Sequence, residues 1–442
     1  MKTFFFYDLE TSGLNPRVDR IMQFAGQRTD MELNPIGKPV NILVKMTEDA
    51  LPSPGAIGVT GITPQQTLMD GITEAEFVKY ITEEIFTPNT VAVGYNTVRF
   101  DDEFMRATLW RNFYDPYEFE WKDGRSRWDM LDVVRLTRAL RPDGINWPFT
   151  DDGRPTNRLE LLTKLNGLSH EHAHDALSDV YATISVAKMI HEKQPELFNY
   201  LFKMRGKNDV KKLVNLDDKK PFVYASGRYP SEHNKTTVVF PLTAGRNGNI
   251  LVYDLRYNLD EVETASYYPI VKELCLNKCP AVAPIGVLEK ANGWEKIHLT
   301  KEQIEKNLET LLKHPEFAEK MREQNESKED FPPASEPEAA IYEGFLNDAD
   351  RIKVSAVRNA DENKLADFHP DFIDARLPEL LLHYKGRNFP RALAADEMEK
   401  WEEYRRNRIQ KQAPKFLAEL ETLKKKDEFL AQELYLYFES LC

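Results

Sequence analysis

Residues 4–14 read FFFYDLETSGL. The aromatic run Phe4, Phe5, Phe6, Tyr7 suits a buried strand, and the Thr-Ser-Gly that follows supplies its turn. Between them stand Asp8 and Glu10. Side chains two apart on a strand share a face, so the two carboxylates point together while Leu9 turns the other way, into the core. Two like charges held so close repel and need a counter-charge. No Lys or Arg follows before Arg17, which leaves two readings open: a divalent cation with oxygen ligands, or a plain capping role at the Thr11-Ser12-Gly13 turn.

Outward from this strand, over 3–9, the chain alternates. Strand patterns follow at QFAGQRTD (23–30) and NILVKM (41–46), an amphipathic helix at 73–86, and a buried strand at TVAVGYN (90–96). Helical spacing then covers 101–112, 128–140, 157–168 and 174–193, with Gly167 and Pro195 as stops. Such alternation makes an α/β layer. After Pro195 the texture changes to short β-rich runs at 220–227, 236–242 and 249–255, suited to a small barrel or open sheet. Thr300, with Gln303 three residues on, reads as a capping box for a helix over 304–312. SKEDFPPASEPEAA (327–340) has a linker's composition. From Ala340 on, helical patterns fill 372–389, 397–412 and 415–438.

A chain of 442 residues has room for several domains, since single cores stop growing at roughly 250–300 residues. No apolar run approaches the roughly 20 residues of a membrane span, and the acids of MKTFFFYDLET do not fit a secretory leader. Cys275, Cys279 and Cys442 are too few and too odd in number for a disulfide framework, and CLNKC lacks the spacing of a zinc knuckle. The expected compartment is the cytoplasm. A net charge of −13 argues against an indiscriminate grip on phosphates. Basic clusters nevertheless occur at KMRGKNDVKK (203–212), at Lys219 and Lys220, and at YRRNRIQKQ (404–412).

Two further stretches carry acids of interest. In GYNTVRFDDEF (94–104) a strand ends near Asn96 and a helix begins at Asp101, while Asp102 and Glu103 also suit the helix dipole. In HEHAHDALSDVYAT (170–183), His174 precedes Asp179 by five residues. That turns roughly 140° on a helix, so the two share no helical face and His174 belongs on the preceding loop.

D-x-E in the first strand, N-x4-D at a strand-to-helix junction and H-x4-D at a late helix resemble, in this order, the DEDDh 3′→5′ exonucleases. The blocks FYDLETSGLNPRVDRIMQFA, GITPQQ, RNFYDPY, LRPDGINWP, AHDALSDVYATI, YEGFLNDADR (342–351) and HYKGRNFP (383–390) are similar to the bacterial exodeoxyribonuclease I branch of that family. The resemblance implies an α/β RNase H-like exonuclease domain over 1–193, an SH3-like domain over 194–334 and an α-helical C-terminal domain over 336–442. It implies Asp8, Glu10, Asp101 and Asp179 as metal ligands and His174 as general base. The family spacing takes the first acid of FDDE and the acid five after the histidine, which passes over Asp102 and Asp175.

The same resemblance implies two Mg²⁺ ions, with Mn²⁺ as a substitute. One sits on Asp8, Glu10 and Asp179; the other sits on Asp8 and Asp101. Implied contacts to the terminal nucleotide are Thr11, Asn96 and Arg158. The implied activity is release of 5′-mononucleotides from the 3′ end of single-stranded DNA, in DNA repair and recombination, by a monomer whose outer domains enclose the strand. The acidic tail of single-stranded-DNA-binding protein is implied to dock at Arg141, Tyr200 and Lys220. Phe100, Tyr114, Trp128 and Trp147 are candidates for stacking on bases. Two other readings stand beside this one. An exoribonuclease of the same superfamily has the same catalytic residues, but the long two-domain extension weighs against it. A catalytically silent single-strand-binding scaffold would be signalled by an altered acid, and all four are present.

Overall fold

In the computed structural model, residues 1–169, 175–262, 270–329 and 332–442 are described. The aromatic strand β1 (Thr3–Thr11) lies at the centre of a five-stranded sheet. It pairs antiparallel with β2 (Ile21–Thr29), which pairs antiparallel with β3 (Val40–Leu43). On its other edge it pairs parallel with β4 (Thr90–Gly94), and β4 pairs parallel with β5 (Ser126–Asp129). The order is β3-β2-β1-β4-β5. Phe4 and Phe6 face a core that includes Trp128, Val133 and Val180. Phe5 and Tyr7 face another with Phe24, Phe77 and Phe104. Both faces are covered, which is why this strand reads as a continuous apolar run instead of an alternating one.

The sheet departs from the sequence expectation at its edge. Residues 126–129, SRWD, form β5, and the following helix starts only at Met130, with Asp129 as its N-cap accepting from the Leu131 N–H. The apolar period continues through Trp128 and Asp129, which is why the sequence pattern extends the helix over them. Two helices of seven residues each, Pro54–Thr60 and Pro64–Asp70, also escaped that reading. Each is short and starts at a proline after a capping Ser53 or Thr63.

Beyond the helix Ala176–Lys193, the helix Pro195–Met204 serves two cores. Phe198 and Phe202 pack edge-on against Trp128 at 4.9 and 5.2 Å, while Met204 joins the cluster under the second sheet. That sheet is antiparallel in the order β10-β6-β7-β8-β9. It comprises β6 (Phe222–Ala225), β7 (Thr236–Ala244), β8 (Ile250–Asp254), β9 (Val271–Leu274) and β10 (Ala281–Pro284). The three runs expected here are β6, β7 and β8. The four-residue VKEL and AVAP of β9 and β10 are too short to show a period.

The helical end of the chain holds two helices beyond those expected, Asp348–Asn359 and Glu362–Ala366, and differs at a joint. Residues 397–412 and 415–438 were expected as two helices, but Ala395–Lys424 is one helix with Pro414 inside it, and the break falls before Asp427, the cap of Glu428–Leu441. Pro414 and Gln410 are both exposed, so the carbonyl that proline deprives of its donor meets water. Ile409, Phe416 and Leu420 of this helix pack on Met46, Leu51 and Ile57 of the first domain.

Beside that apolar contact lies a buried set of charges. Arg20 meets Asp49 at 3.1 Å and Glu338 at 3.6 Å. Arg387 meets the same two acids at 2.7 Å each. Arg408 pairs with Glu338 and lies 3.5 Å from Asp49. The basic run 404–412 is therefore partly an interdomain tie and not wholly a surface for phosphates, because Arg408 is buried. Among the described residues no helix is long and apolar enough to cross a membrane.

Candidate active site

Asp8 and Glu10 leave β1 on the face covered by the Ala176–Lys193 helix, opposite Ala25 and Gln23 of β2. The turn after them closes on its own atoms: the Thr11 hydroxyl donates to the Gly13 carbonyl at 2.7 Å, and the Ser12 N–H donates to the Arg20 carbonyl at 2.8 Å. Neither acid is spent as its cap. A Cβ at Gly13 would stand 2.3 Å from a carboxylate oxygen of Asp19, so a larger residue there would have to displace that side chain.

Asp179 comes from the first turn of Ala176–Lys193. One carboxylate oxygen from each of Asp8, Glu10 and Asp179 lies within 4.8 Å of the others. Asp175, one turn earlier, is occupied as the helix cap and accepts from the Ser178 N–H at 2.9 Å.

Asp101 is not among the three acids whose oxygens lie within 4.8 Å of one another, but it approaches them along β1 closely enough to raise the Asp8 and Glu10 carboxyls. After β4 the chain takes a left-handed residue at Asn96, φ 73°, then a single 3₁₀ turn over Thr97–Arg99, and the helix Asp101–Arg111 follows. Asp129 holds that turn, accepting from the Asn96 N–H at 2.9 Å and the Val98 N–H at 3.3 Å. The Leu9 N–H then donates to Asp101 Oδ1 at 3.2 Å, which fixes this carboxylate between Asp8 and Glu10 along the strand. Its neighbour Asp102 is turned away: Oδ1 accepts from the Tyr7 hydroxyl and Oδ2 from the Arg127 guanidinium, each at 2.5 Å. Asp102 is thus neutralised in the core.

The electrostatics of the pocket follow from this gathering. Burial, then Asp101, Asp179 and Glu10, hold the Asp8 carboxyl well above the usual carboxylate range. Glu10 is pushed up to about 8 by burial and by Asp179 and Asp101. Asp101 is pushed up to about 8 by burial and then Asp102, against the opposing pull of backbone N–H donors. Among the described residues, no lysine or arginine pairs with Asp8, Glu10 or Asp101. Carboxylate oxygens alone, partly buried and mutually repelling, are the donor set of a hard divalent cation, and the residues fit one.

The remaining expected residues are placed less closely. His174 lies outside the described residues. Thr11 is buried beside Glu10, and its hydroxyl proton is already used. Asn96 stands at the turn before Asp101, whereas Arg158 is exposed at the start of Leu159–Leu165. Trp128 is buried between Phe4, Phe198 and Phe202 and cannot stack on a base. Phe100 packs on Phe104, Tyr114 lies under Arg358, and Trp147 donates its indole N–H to the Pro142 carbonyl. Arg141 ends the Met130–Leu140 helix and donates to the Leu140 carbonyl, Tyr200 is half-buried in Pro195–Met204, and Lys220 is exposed ahead of β6. Sequence reasoning missed Asp129 and Arg127. An acid just before a helix is an N-cap signal, and it could have marked Asp129 as the end of a strand.

Comparison with known proteins covers nearly all of the chain. Residues 5–187 match the family described as Exonuclease, residues 205–326 the Exonuclease I SH3-like domain, and residues 335–441 the Exonuclease I C-terminal domain. A curated relative, exodeoxyribonuclease I of Haemophilus influenzae, is 41% identical over 446 residues, covering 95% of this chain and 93% of its own. Exonuclease I of Escherichia coli, solved in complex with a dA16 oligonucleotide, superposes with a TM-score of 0.94 at 37% identity, covering 100% of both chains. A structure of SSB/Exonuclease I in complex with inhibitor CFAM gives 0.91 at 37% identity, again over 100% of both.

Proposed function

The chain belongs to the exodeoxyribonuclease I family, and from that membership we propose that it hydrolyses single-stranded DNA from the 3′ end, releasing 5′-mononucleotides, in DNA repair and recombination. The observation that carries the chemistry is the convergence of Asp8, Glu10 and Asp179 within 4.8 Å, with Asp101 fixed beside them by the Leu9 N–H. Two Mg²⁺ ions are the cations that best suit a pocket built of carboxylates alone. Bound there, they supply Lewis acidity toward the scissile phosphate and its attacking water. Asp8, Glu10 and Asp179 hold one, and Asp8 with Asp101 holds the other. His174 accepts the water's proton, a role worth about 10²–10⁴-fold in rate. Thr11 keeps only acceptor capacity on its hydroxyl, which suits a terminal 3′-hydroxyl as donor. Asn96 and Arg158 are assigned to the same nucleotide.

Arg141, Tyr200 and Lys220 are proposed to receive the acidic tail of single-stranded-DNA-binding protein, in keeping with the SSB/Exonuclease I structure. The proposed domain limits are 1–193, 194–334 and 336–442, for a monomer working in the cytoplasm. The test uses single-stranded DNA, duplex DNA and RNA of one sequence, labelled in turn at each end, with Mg²⁺ and with EDTA. The expected result is Mg²⁺-dependent mononucleotide release from the 3′ label of single-stranded DNA. Release in EDTA, or from the 5′ label first, would sink the assignment.

A further inference from the structure

We propose that Arg127 is a positioning residue for Asp101, and that through Arg127 the middle domain bears on the geometry of the metal pocket. The inference rests on the proposed two-metal reading. Arg127 is buried on β5, two residues before Asp129 and on the same face. One guanidinium nitrogen meets Asp102 Oδ2 at 2.5 Å. The other donates to the Asn277 carbonyl at 2.9 Å and lies 3.0 Å from Glu120. Asn277 belongs to the turn after β9, outside the first domain, and two residues on the Cys279 thiol donates to the Arg127 carbonyl at 3.3 Å. Cys279 has a φ of 47°, a conformation a non-glycine residue keeps only when its surroundings impose it.

The next acid along is held in the same manner. Glu103 lies 3.5 Å from Lys278 of that turn and accepts a hydrogen bond from Tyr342 of the C-terminal region. Residues 101–103 are therefore a place where all three parts of the chain meet. Asp102 and Glu103 are gripped from outside, and Asp101, one peptide away, is left to face Asp8. A guanidinium suits this task because its planar fork holds two partners in fixed directions at once, which an ammonium does not.

The experiment uses the full chain as wild type, as Arg127→Lys, and as the double variant Asp102→Asn/Arg127→Met, in which Glu120 keeps its partner Arg106 at 2.5 Å. Mn²⁺ binding is measured by calorimetry, thermal melting by calorimetric scan, and hydrolysis against both Mg²⁺ and single-stranded DNA. The double variant is expected to melt close to the wild type. One of its two Mn²⁺ sites should weaken about tenfold, the scale on which groups behind metal ligands act. The Mg²⁺ midpoint for hydrolysis should rise by the same factor, with KM for DNA within about twofold. Arg127→Lys keeps the charge and should move the Mn²⁺ site in the same direction, and it carries the test if the double variant does not fold. Unchanged Mn²⁺ affinity in a folded variant would overturn the proposal, as would a raised KM for DNA with an unmoved metal midpoint. A wild type that binds no Mn²⁺ and shows no Mg²⁺-dependent hydrolysis would instead remove the two-metal reading, and this inference with it.

Discussion

Asp101 and Asp102 are adjacent in sequence and opposite in circumstance. One is bound by a peptide N–H at the rim of an acidic pocket; the other is sealed against a phenol and a guanidinium. Replacing Asp179 by Asn, which keeps the shape and removes the charge, should lower Mg²⁺-dependent hydrolysis by more than the ~10–100-fold typical of groups behind a metal's ligands. A mononucleotide-release assay across a Mg²⁺ series would check it. The raised carboxyls give a second prediction. Glu10 and Asp101 titrate near 8 in the fold against 4.5 and 3.8 ordinarily, so between those values the folded state holds protons that the unfolded chain has released. Their contribution is fully present below about pH 4 and is lost as pH rises through about 8. Metal-free protein should therefore melt lower at pH 9 than at pH 5, and Mg²⁺ should restore the loss, as read by melting curves with EDTA or Mg²⁺. A metal-free profile that rises steadily with pH would contradict it. Asp8 and Glu10 stand out in the sequence because the strand period puts both side chains on one face, whereas Asp179 is separated from Asp175 only by resemblance. Asp101 could be separated from Asp102 only by resemblance, since the two peptide directions that part them depend on Tyr7 and Arg127, distant along the chain.

The strands that sequence concealed are short, although three longer helices, Pro195–Met204, Pro315–Glu326 and Asp348–Asn359, also escaped it. β5 is four residues long and runs straight into a helix whose apolar period begins early. β9 and β10 are equally brief. Each exists because a neighbouring strand supplies its hydrogen bonds, a tertiary cause that a local pattern does not contain. Asp129 shows what such an element does: its carboxylate accepts from the N–H groups of Asn96, Val98 and Leu131. Asp129→Ala should cost about 3 kcal/mol or more, since hydrogen bonds to a charged group are worth about 1.5–3 kcal/mol each, and turnover should fall because this turn delivers Asp101. Urea unfolding and steady-state kinetics would measure the two losses. The joint at Pro414 predicts the opposite sign. Proline in a helix interior costs about 3 kcal/mol, and here the site is exposed. Pro414→Ala should therefore stabilise the protein, by about 1–3 kcal/mol; an unchanged or lowered denaturation midpoint would count against a continuous helix.

At the scale of the whole molecule, the three regions share interiors more than their separate patterns suggest. The helix Pro195–Met204 enters two cores, and the long helix Ala395–Lys424 packs on the first domain. Arg20, Asp49, Glu338, Arg387 and Arg408 sit buried where the last region meets the first. Arg387→Met should destabilise by about 3–5 kcal/mol, because removing one partner strands the others away from water; thermal unfolding would show the loss, and a small shift would mean that water reaches the site. None of this tie could be read from sequence, where Arg408 looked like one more base in a solvated run.

That tie has a consequence for the backbone between the regions. Residues 327–329 are exposed, yet the contacts joining the last region to the first do not pass through them. A protease that nicks the chain there should yield two polypeptides on a denaturing gel and a single peak on gel filtration. The covalent thread, in other words, is dispensable once the halves have found each other.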